Sequence, residues 1–201
     1  MSRVFIAKNV FGGYIISHYE SRTFYILDYN VISICAGYLI SGKRCGMNVR
    51  NATVKDVEAI YSLISYYAQL DKMLFRSKAY IFDNLQMFSV AQVDGKVVGC
   101  CALQVIWSDL AEIKSLAVMD EYKNRGIGKA LLENAVGWAK NLGVDKVFAL
   151  TLEPAFFEKQ GFVVVDKKTL PMKVWSDCAR CPKQENCDET AVEKVFDIGN
   201  R

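Results

Sequence analysis

The sequence predicts a mixed α/β (α+β) fold in which helices flank a sheet. From residue 47 onward, strand and helix patterns alternate in the order βααβββαβαβ. Asp94-Gly95 separates two apolar runs and is typical of a β-hairpin. A turn containing Gly126 and Gly128 stands between a strand and an amphipathic helix. These observations predict a strand–helix–strand unit at the centre of the sheet.

Each of the first elements has its own signal. Residues 47–52 are typical of a strand, and Thr53-Val54-Lys55-Asp56 resembles a capping box, in which side-chain oxygens accept the first free amides of a helix. The apolar residues that follow at helical spacing are Val57, Ile60, Tyr61, Ile64 and Tyr67. A second, short helix is predicted near residues 77–85.

The later elements complete one domain. The remaining strands are predicted over residues 87–93, 96–107, 110–119, 144–151 and 162–165. An amphipathic helix is predicted over residues 126–142, and Pro154 suits the first turn of a short helix. We therefore expect a domain over residues 47–175, preceded by an extension of residues 1–46 and followed by a cysteine-containing tail of residues 176–201.

The extension is rich in aromatic and β-branched residues and has no recognisable motif. Met47 opens a stretch that resembles a natural protein start. We expect the extension to come from an upstream start codon and to add nothing to the chemistry. The alternative, an additional hairpin that packs on the domain, stays open.

Charge and hydropathy exclude several classes of protein. Residues 1–46 hold five basic and two acidic residues and so supply the whole net charge of +3. A domain that is neutral overall has no broad surface for nucleic acid. The sequence contains no run of about 18 apolar residues, so no membrane span is predicted. The N-terminus also lacks a secretory signal pattern. We expect a cytoplasmic protein.

The only histidine, His18, lies in the extension. Histidine therefore takes no part in proton transfer within the main domain, which excludes Ser-His-Asp and Cys-His arrangements there. Carboxylates, hydroxyls, amines or water must serve instead.

An anion site is predicted where the central helix begins. The run Lys123-Asn124-Arg125-Gly126-Ile127-Gly128-Lys129-Ala130 follows a strand directly. The first amides of a helix have no partner within it, and together with the helix dipole they bind phosphates. Three cations flank these amides. The run lacks the third glycine of a dinucleotide fingerprint and the Gly-Lys-Ser/Thr ending of a P-loop.

This run resembles the acetyl-CoA signature of the GNAT superfamily, Gln/Arg-x-x-Gly-x-Gly/Ala, with Lys123 at the first position. Three further stretches, residues 98–103, 112–118 and 157–162, resemble strands and a loop of that family. The resemblance implies the GNAT acyl-CoA N-acyltransferase fold, with a mixed, mostly antiparallel sheet. It also implies acetyl-CoA as cosubstrate, with the phosphates on residues 123–130. The fourth strand of the domain would splay from the fifth and hold the pantetheine arm on the backbone of Leu116, Ala117 and Val118.

A narrower resemblance points to the acceptor. Residues 74–77, 98–100, 107–113 and 147–151 are similar to the short N-acetylglutamate synthases, which catalyse the first step of arginine biosynthesis with a lone acetyltransferase domain. This implies transfer of an acetyl group to the α-amine of L-glutamate. Another small amine or a protein amine stays open as acceptor, and so does a non-catalytic module that binds CoA or metal. The sequence gives no oligomeric state, and a homodimer stays open.

The resemblance also suggests residue roles. Glu112 matches the general base, for which the alternative is a salt-bridged strand carboxylate. Phe157 stands where many relatives have a tyrosine acid, so the hydroxyl of Thr151 is the candidate acid; an ordinary strand-end hydroxyl is the alternative. Arg76 is the first candidate for the substrate carboxylates, because Arg pairs with them in bidentate fashion. Lys72 and Lys173 are the other candidates.

The tail carries a cysteine pattern. Cys178, Cys181 and Cys187 have a spacing compatible with zinc or an iron–sulfur cluster. A fourth ligand would have to come from Asp177, Asp188 or Cys45. A redox-active or merely structural trio is the alternative.

Overall fold

The computed structural model describes residues 46–171 and 185–196, the single positions Ala179, Cys181 and Lys183, and the backbone of three strands in the N-terminal segment. These three are β1 (Val4–Lys8), β2 (Tyr14–His18) and β3 (Thr23–Ile26). They pair antiparallel in chain order and form a sheet of their own. The origin of this segment stays a prediction.

The main sheet has seven strands. They are β4 (Met47–Asn51), β5 (Phe88–Val93), β6 (Lys96–Val105), β7 (Leu110–Val118), β8 (Lys146–Thr151), β9 (Val163–Val165) and β10 (Thr190–Val195). Their order is β4-β5-β6-β7-β8-β10-β9, and β7–β8 is the parallel pair in an otherwise antiparallel sheet. The predicted mixed, mostly antiparallel sheet is confirmed.

Helices cover both faces of this sheet. They are α1 (Val57–Gln69), α2 (Lys78–Asp83), α3 (Ile127–Asn141) and α4 (Pro154–Glu158). On one face α1 and α2 bury Ile60, Ile64 and Ile81 against β5 and β6. On the other face α3 buries Leu131 and Ala135. Within the described residues, no helix has both the length and the apolar character to cross a membrane.

Strand β10 was not predicted from the sequence. It lies between β8 and β9 and pairs antiparallel with both. Its Ala191 and Val192 are buried in the core. The sheet therefore continues past residue 175, the predicted end of the domain. This short segment is an internal strand of the sheet only because two strands from earlier in the chain pair with it.

The predicted capping box forms at the start of α1 and centres on the buried Asp56. Its carboxylate accepts the backbone amide and hydroxyl of Thr53 at 2.7 and 2.8 Å. Arg50 donates to both carboxylate oxygens, at 2.7 and 2.8 Å. These bonds, that of Arg50 above all, lower the pKa of Asp56 to about 2. The ionised form therefore fastens β4 to α1.

Replacing Asp56 with asparagine is expected to lower the free energy of unfolding at pH 7 by about 1.5–3 kcal/mol, the range for hydrogen bonds to a charged group. Because the folded-state pKa is lowered, this stabilisation is complete above the unfolded pKa of 3.8 and is lost as the pH falls toward about 2. Urea unfolding at pH 7 and pH 3 measures it. The exposed Asp83, changed to asparagine, is the control, and an equal loss in both variants would contradict the role of Asp56.

Candidate functional site

The two parallel strands separate part of the way along the sheet. Strand β7 pairs with β8 only at Leu110↔Lys146, Ala111↔Val147 and Glu112↔Phe148. After these pairs both strands run on without pairing to each other, so the predicted splay is present. The backbone of residues 113–118 therefore has no ladder bonds to β8 and faces an open cleft.

A β-bulge in β7 contributes to this separation. Ala117 pairs with Cys100 and Lys114 with Ala102, so two residues of β7 face one of β6. Ser115, within the bulge, has a φ of 53°. An extra residue bends a strand and increases its local twist. The bulge therefore turns the end of β7 away from β8.

A cavity of about 580 Å³ fills the opening. It brings together most of the residues that the sequence singled out. Those on its wall are Lys72, Arg76, Glu112, Leu116, Ala117, Val118, Lys123, Asn124, Gly126, Ile127, Gly128, Lys129 and Thr151. Lys173 lies outside the described residues. One connected space thus joins the predicted cosubstrate, catalytic and acceptor groups.

The N-terminus of α3 opens onto this cavity. Gly126 precedes the helix with a φ of 80°, a conformation that favours glycine. The first amides of the helix have no carbonyl partner within it. At Gly128 an added Cβ would lie 3.5 Å from the ring of Phe156, on the cavity wall. The backbone here is open to an anionic ligand, and the helix dipole favours one.

Two residues of the predicted anion site do not reach the cavity wall. The amide of Ala130 already donates to the carbonyl of Gly126 at 3.0 Å, and Ala130 is buried in the core. The exposed guanidinium of Arg125 lies 5.1 Å from the centre of the Tyr122 ring. Phosphate binding by Arg125 and Ala130 stays a prediction: the guanidinium of the first lies beside an aromatic ring, and the amide of the second is bonded within the helix.

Lys123 lines the cavity but has an acidic partner. Its ammonium lies 2.5 Å from Asp120 and 5.0 Å from the centre of the Tyr67 ring. The hydroxyl of Tyr67 donates to the carbonyl of Val118 at 2.5 Å, and Tyr66 donates to Asp120. Lys123, Tyr66 and Tyr67 together lower the pKa of Asp120 to about 2, while Asp120 raises that of Lys123. This network joins α1 to the end of β7 and offsets much of the Lys123 charge.

Glu112 stands where β7 and β8 begin to separate, and it is buried. Its Oε2 lies 3.1 Å from the ammonium of Lys114, which also donates to Gln104 at 2.9 Å. Residues two apart share a face of a strand, so Lys114 follows Glu112 on the same side. Glu112 is thus a salt-bridged strand carboxylate and also a wall residue of the cavity.

Thr151 ends β8 on the opposite wall. Its Oγ1 accepts the backbone amide of Glu153 at 2.9 Å, which leaves the hydroxyl proton for another acceptor. Phe157 packs edge-to-face on Phe156 and Phe162, with ring centres 5.2 and 5.3 Å apart. Phe157 has no proton to transfer, so a hydroxyl on this wall has to come from another residue.

The loop between α1 and α2 supplies two cations to the cavity wall. Arg76 immediately precedes Ser77, which caps α2 by accepting the amide of Tyr80 at 3.1 Å. The Arg76 guanidinium lies 4.6 Å from the centre of the Tyr80 ring. Lys72 joins it on the cavity wall.

Glu189 is an acidic wall residue that the sequence did not single out. Glu189 precedes β10 and lines the same cavity. Burial raises the pKa of its carboxyl group. The sequence carried no usable signal for it, because its position depends on the unpredicted β10.

The described cysteines do not form a metal centre. Cys178, Asp177 and Cys45 lie outside the described residues. Cys181 and Cys187 line a second cavity, of about 670 Å³, and Lys167 approaches the Cys187 sulfur at 3.2 Å. No cluster of three or more potential ligands (His, Cys, Asp or Glu) occurs within the described part of the chain. A zinc or iron–sulfur site at the trio stays a prediction.

The chain is similar in sequence to known proteins of one family. Residues 54–162 match the model of the acetyltransferase (GNAT) family. The chain is 43% identical to an uncharacterized N-acetyltransferase of Chlorobaculum tepidum over 74% of this chain and 96% of that protein. It is 36% identical to an amino-acid acetyltransferase of Mycobacterium tuberculosis over 68% of this chain and 79% of the relative.

Solved structures agree with the family match. A Mycobacterium tuberculosis protein in complex with CoA and NLQ has a TM-score of 0.66 at 31% identity, over 74% of this chain and 98% of that one. N-acetylglutamate synthase from Neisseria gonorrhoeae, complexed with coenzyme A and N-acetyl-glutamate, has a TM-score of 0.70 at 25% identity. That match covers 77% of this chain but 36% of the synthase, so this chain corresponds to about a third of that protein.

Proposed function

Because this chain belongs to the acetyltransferase (GNAT) family, we propose that it transfers the acetyl group of acetyl-CoA to the α-amine of L-glutamate. It is an acetyl-CoA-dependent N-acetyltransferase. The observation that carries the acceptor is the single cavity that holds Arg76 and Lys72 together with Glu112 and Thr151. Relatives named amino-acid acetyltransferase support an amino acid as acceptor. On this proposal the product is N-acetylglutamate, the first intermediate of arginine biosynthesis.

Acetyl-CoA binding follows from two features of the backbone. The free amides at the start of α3 bind the pyrophosphate. The backbone of residues 116–118, which has no ladder bonds to β8, accepts the pantetheine arm as an added strand does. This arrangement directs the thioester toward the point where β7 and β8 separate, next to Glu112.

The acceptor meets the thioester at that point. Its carboxylates pair with Arg76 and Lys72, which line the same cavity as Thr151. An α-amine is mostly protonated at neutral pH. Glu112 takes one proton, directly or through water, and frees the nitrogen lone pair for attack.

Acetyl transfer then forms the C–N bond and breaks the C–S bond, and each proton has an acceptor. The nitrogen forms a bond to the carbonyl carbon, and backbone amides of β7 stabilise the oxyanion. As the C–S bond breaks, the sulfur takes the Thr151 hydroxyl proton, and the second proton of the nitrogen restores that hydroxyl. The products are N-acetylglutamate, CoA and the one proton held by Glu112, which returns to solvent.

The test is CoA release by the purified full chain with acetyl-CoA and each of the twenty amino acids, followed by thiol detection. Turnover that is highest with glutamate supports the proposal. Turnover confined to another amino acid or to a different amine overturns the acceptor. CoA binding without turnover on any amine overturns the enzymatic proposal for this site.

Replacing Thr151 with valine is expected to lower kcat by about 100-fold, the lower end of the range for general acid–base catalysis. Valine keeps the shape of the side chain but has no proton for the sulfur. Thr151→Ser is the matched control, because it keeps the hydroxyl; we expect its kcat to stay within a few-fold of wild type. Steady-state kinetics at saturating acetyl-CoA measures both, and wild-type turnover in the valine variant would exclude Thr151 as the acid.

A further inference from the structure

Glu189 lies next to the reaction centre through the pairing of β8 with β10. The first residue of β10, Thr190, stands directly opposite Thr151. Glu189 precedes it, at the end of the sheet where β8 has separated from β7. It lines the cavity that contains Glu112 and Thr151, and it also lines the second cavity of about 670 Å³. Glu189 therefore forms part of the wall between the two cavities.

The cations closest to Glu189 are bound elsewhere. The ammonium of Lys167 lies 3.2 Å from the Cys187 sulfur. That of Lys183 donates to the carbonyl of Asp71 at 3.3 Å and lies 3.4 Å from Asp188. Within the described residues, the Glu189 carboxylate has neither a hydrogen bond nor an ion pair. Burial is the largest cause of its raised pKa, and the attraction of Lys167 and Lys183 at longer range opposes this shift without forming an ion pair.

The other carboxylates of the cavity differ from Glu189. Glu112 already pairs with Lys114 at 3.1 Å. Glu153 is exposed, so water screens its charge. Among the described wall residues, Glu189 thus combines partial burial with a negative charge that no ion pair compensates. A buried charge of this kind is stabilised by a ligand of opposite sign.

The proposed acceptor has such a group. An amino acid enters as a zwitterion, so Arg76 and Lys72 account for its carboxylates but leave its ammonium without a partner. We propose that Glu189 binds the ammonium group of the incoming acceptor and thereby selects amino acids over acids of the same shape that lack the amine. This inference rests on the proposed function of the cavity.

Glu189 acts on binding rather than on chemistry. The nitrogen is positive in the bound ammonium and again becomes partly positive as it attacks the thioester carbon, so Glu189 stabilises both states to a similar degree. Its loss therefore raises the acceptor KM and leaves kcat nearly constant, which is the pattern for uniform binding of ground state and transition state.

The experiment compares Glu189→Gln with Glu185→Gln in the full chain. Glu185 is exposed, belongs to the same segment and lines neither cavity. We expect Glu189→Gln to raise the KM for glutamate about tenfold or more, since a charged hydrogen bond is lost. The KM for acetyl-CoA and both constants of Glu185→Gln should stay within about twofold of wild type.

Glutarate separates recognition from structure, because it is glutamate without the amino group. As a competitive inhibitor it should bind Glu189→Gln as well as wild type, or more tightly. Equal weakening of glutamate and glutarate would show a structural role and overturn the inference, as would an unchanged glutamate KM. If glutamine at this position prevents folding, Glu189→Asp, which keeps the charge on a shorter side chain, takes its place. We expect it to raise the glutamate KM and to leave the inhibition constant of glutarate within about twofold of wild type; equal weakening of both would contradict recognition of the amine.

The wild-type enzyme provides the remaining comparison. Wild type that acetylates no amino acid overturns the proposed function itself. Wild type that acetylates glutamate, with an unchanged KM in Glu189→Gln, overturns only the role of Glu189.

Discussion

Replacing Glu112 with glutamine is expected to lower kcat by about 10²–10⁴-fold, the usual contribution of a positioned general base. Glutamine has nearly the same shape, and its amide oxygen still accepts from Lys114, which lies 3.1 Å from the native carboxylate. The variant loses the ability to hold the proton that the acceptor must release. Steady-state kinetics with saturating acetyl-CoA and acceptor gives the change in kcat.

Binding and stability show whether the loss is chemical. We expect the CoA dissociation constant of Glu112→Gln to match that of wild type, because the predicted CoA contacts lie on α3 and on residues 116–118. Glu133→Gln, on the exposed face of α3, is the control and should retain full turnover. If the variant lost activity and CoA binding together, unfolding would explain the result. If it kept its activity, Glu112 would be only the partner of Lys114.

The sequence predicted the part of the site that local signals encode. The turn before α3 contains a glycine with positive φ, and such turns have a local sequence pattern. It could therefore be identified from residue type and spacing. The Asp56 capping box could be found in the same way. The separation of β7 and β8 was predicted from the family resemblance, because no pattern within either strand indicates where their pairing stops.

Features that depend on distant pairing could not be predicted. Strand β10 comes last in the chain but lies between β8 and β9, so its register exists only in the folded sheet. Glu189 reaches the cavity through that register, and its sequence neighbours give no hint of it. The cysteine spacing within residues 176–201 predicts a tail with a metal or redox role and gives no position for the strand beside it.

The side chains of two flanking cations already have partners within the fold. Lys123 pairs with Asp120 and Arg125 lies over Tyr122, each three residues earlier in the chain. Both partners were visible in the sequence. Positive charge next to a glycine turn predicted phosphate contacts, but the nearby acid and aromatic ring already engage these side chains. The open backbone amides of α3 therefore carry more of the proposed anion site than its basic residues do.

That conclusion leads to a second large effect, at Gly128. Replacing it with valine is expected to weaken CoA binding by about 100-fold or more, the cost of losing one or two charged hydrogen bonds to the phosphates. The added Cβ would lie 3.5 Å from Phe156 and 3.9 Å from Val118, both ordinary contacts, so the fold accommodates it. The γ-methyl groups would then occupy the space through which the pyrophosphate approaches the first amides of α3.

Gly137 is a matched control, because it lies on the same helix and an added Cβ there meets nothing within 4 Å. Gly128→Val and Gly137→Val make the same chemical change and remove the same backbone freedom, but only the first alters the cavity wall. Gly126 would be a poorer choice, since its φ of 80° strains any other residue and mixes a folding defect with a binding defect. Calorimetric titration with CoA and thermal unfolding of both variants give the comparison. Equal CoA affinity in the two variants would show that the phosphates do not approach this turn, and the proposed cosubstrate site would have to be moved away from α3.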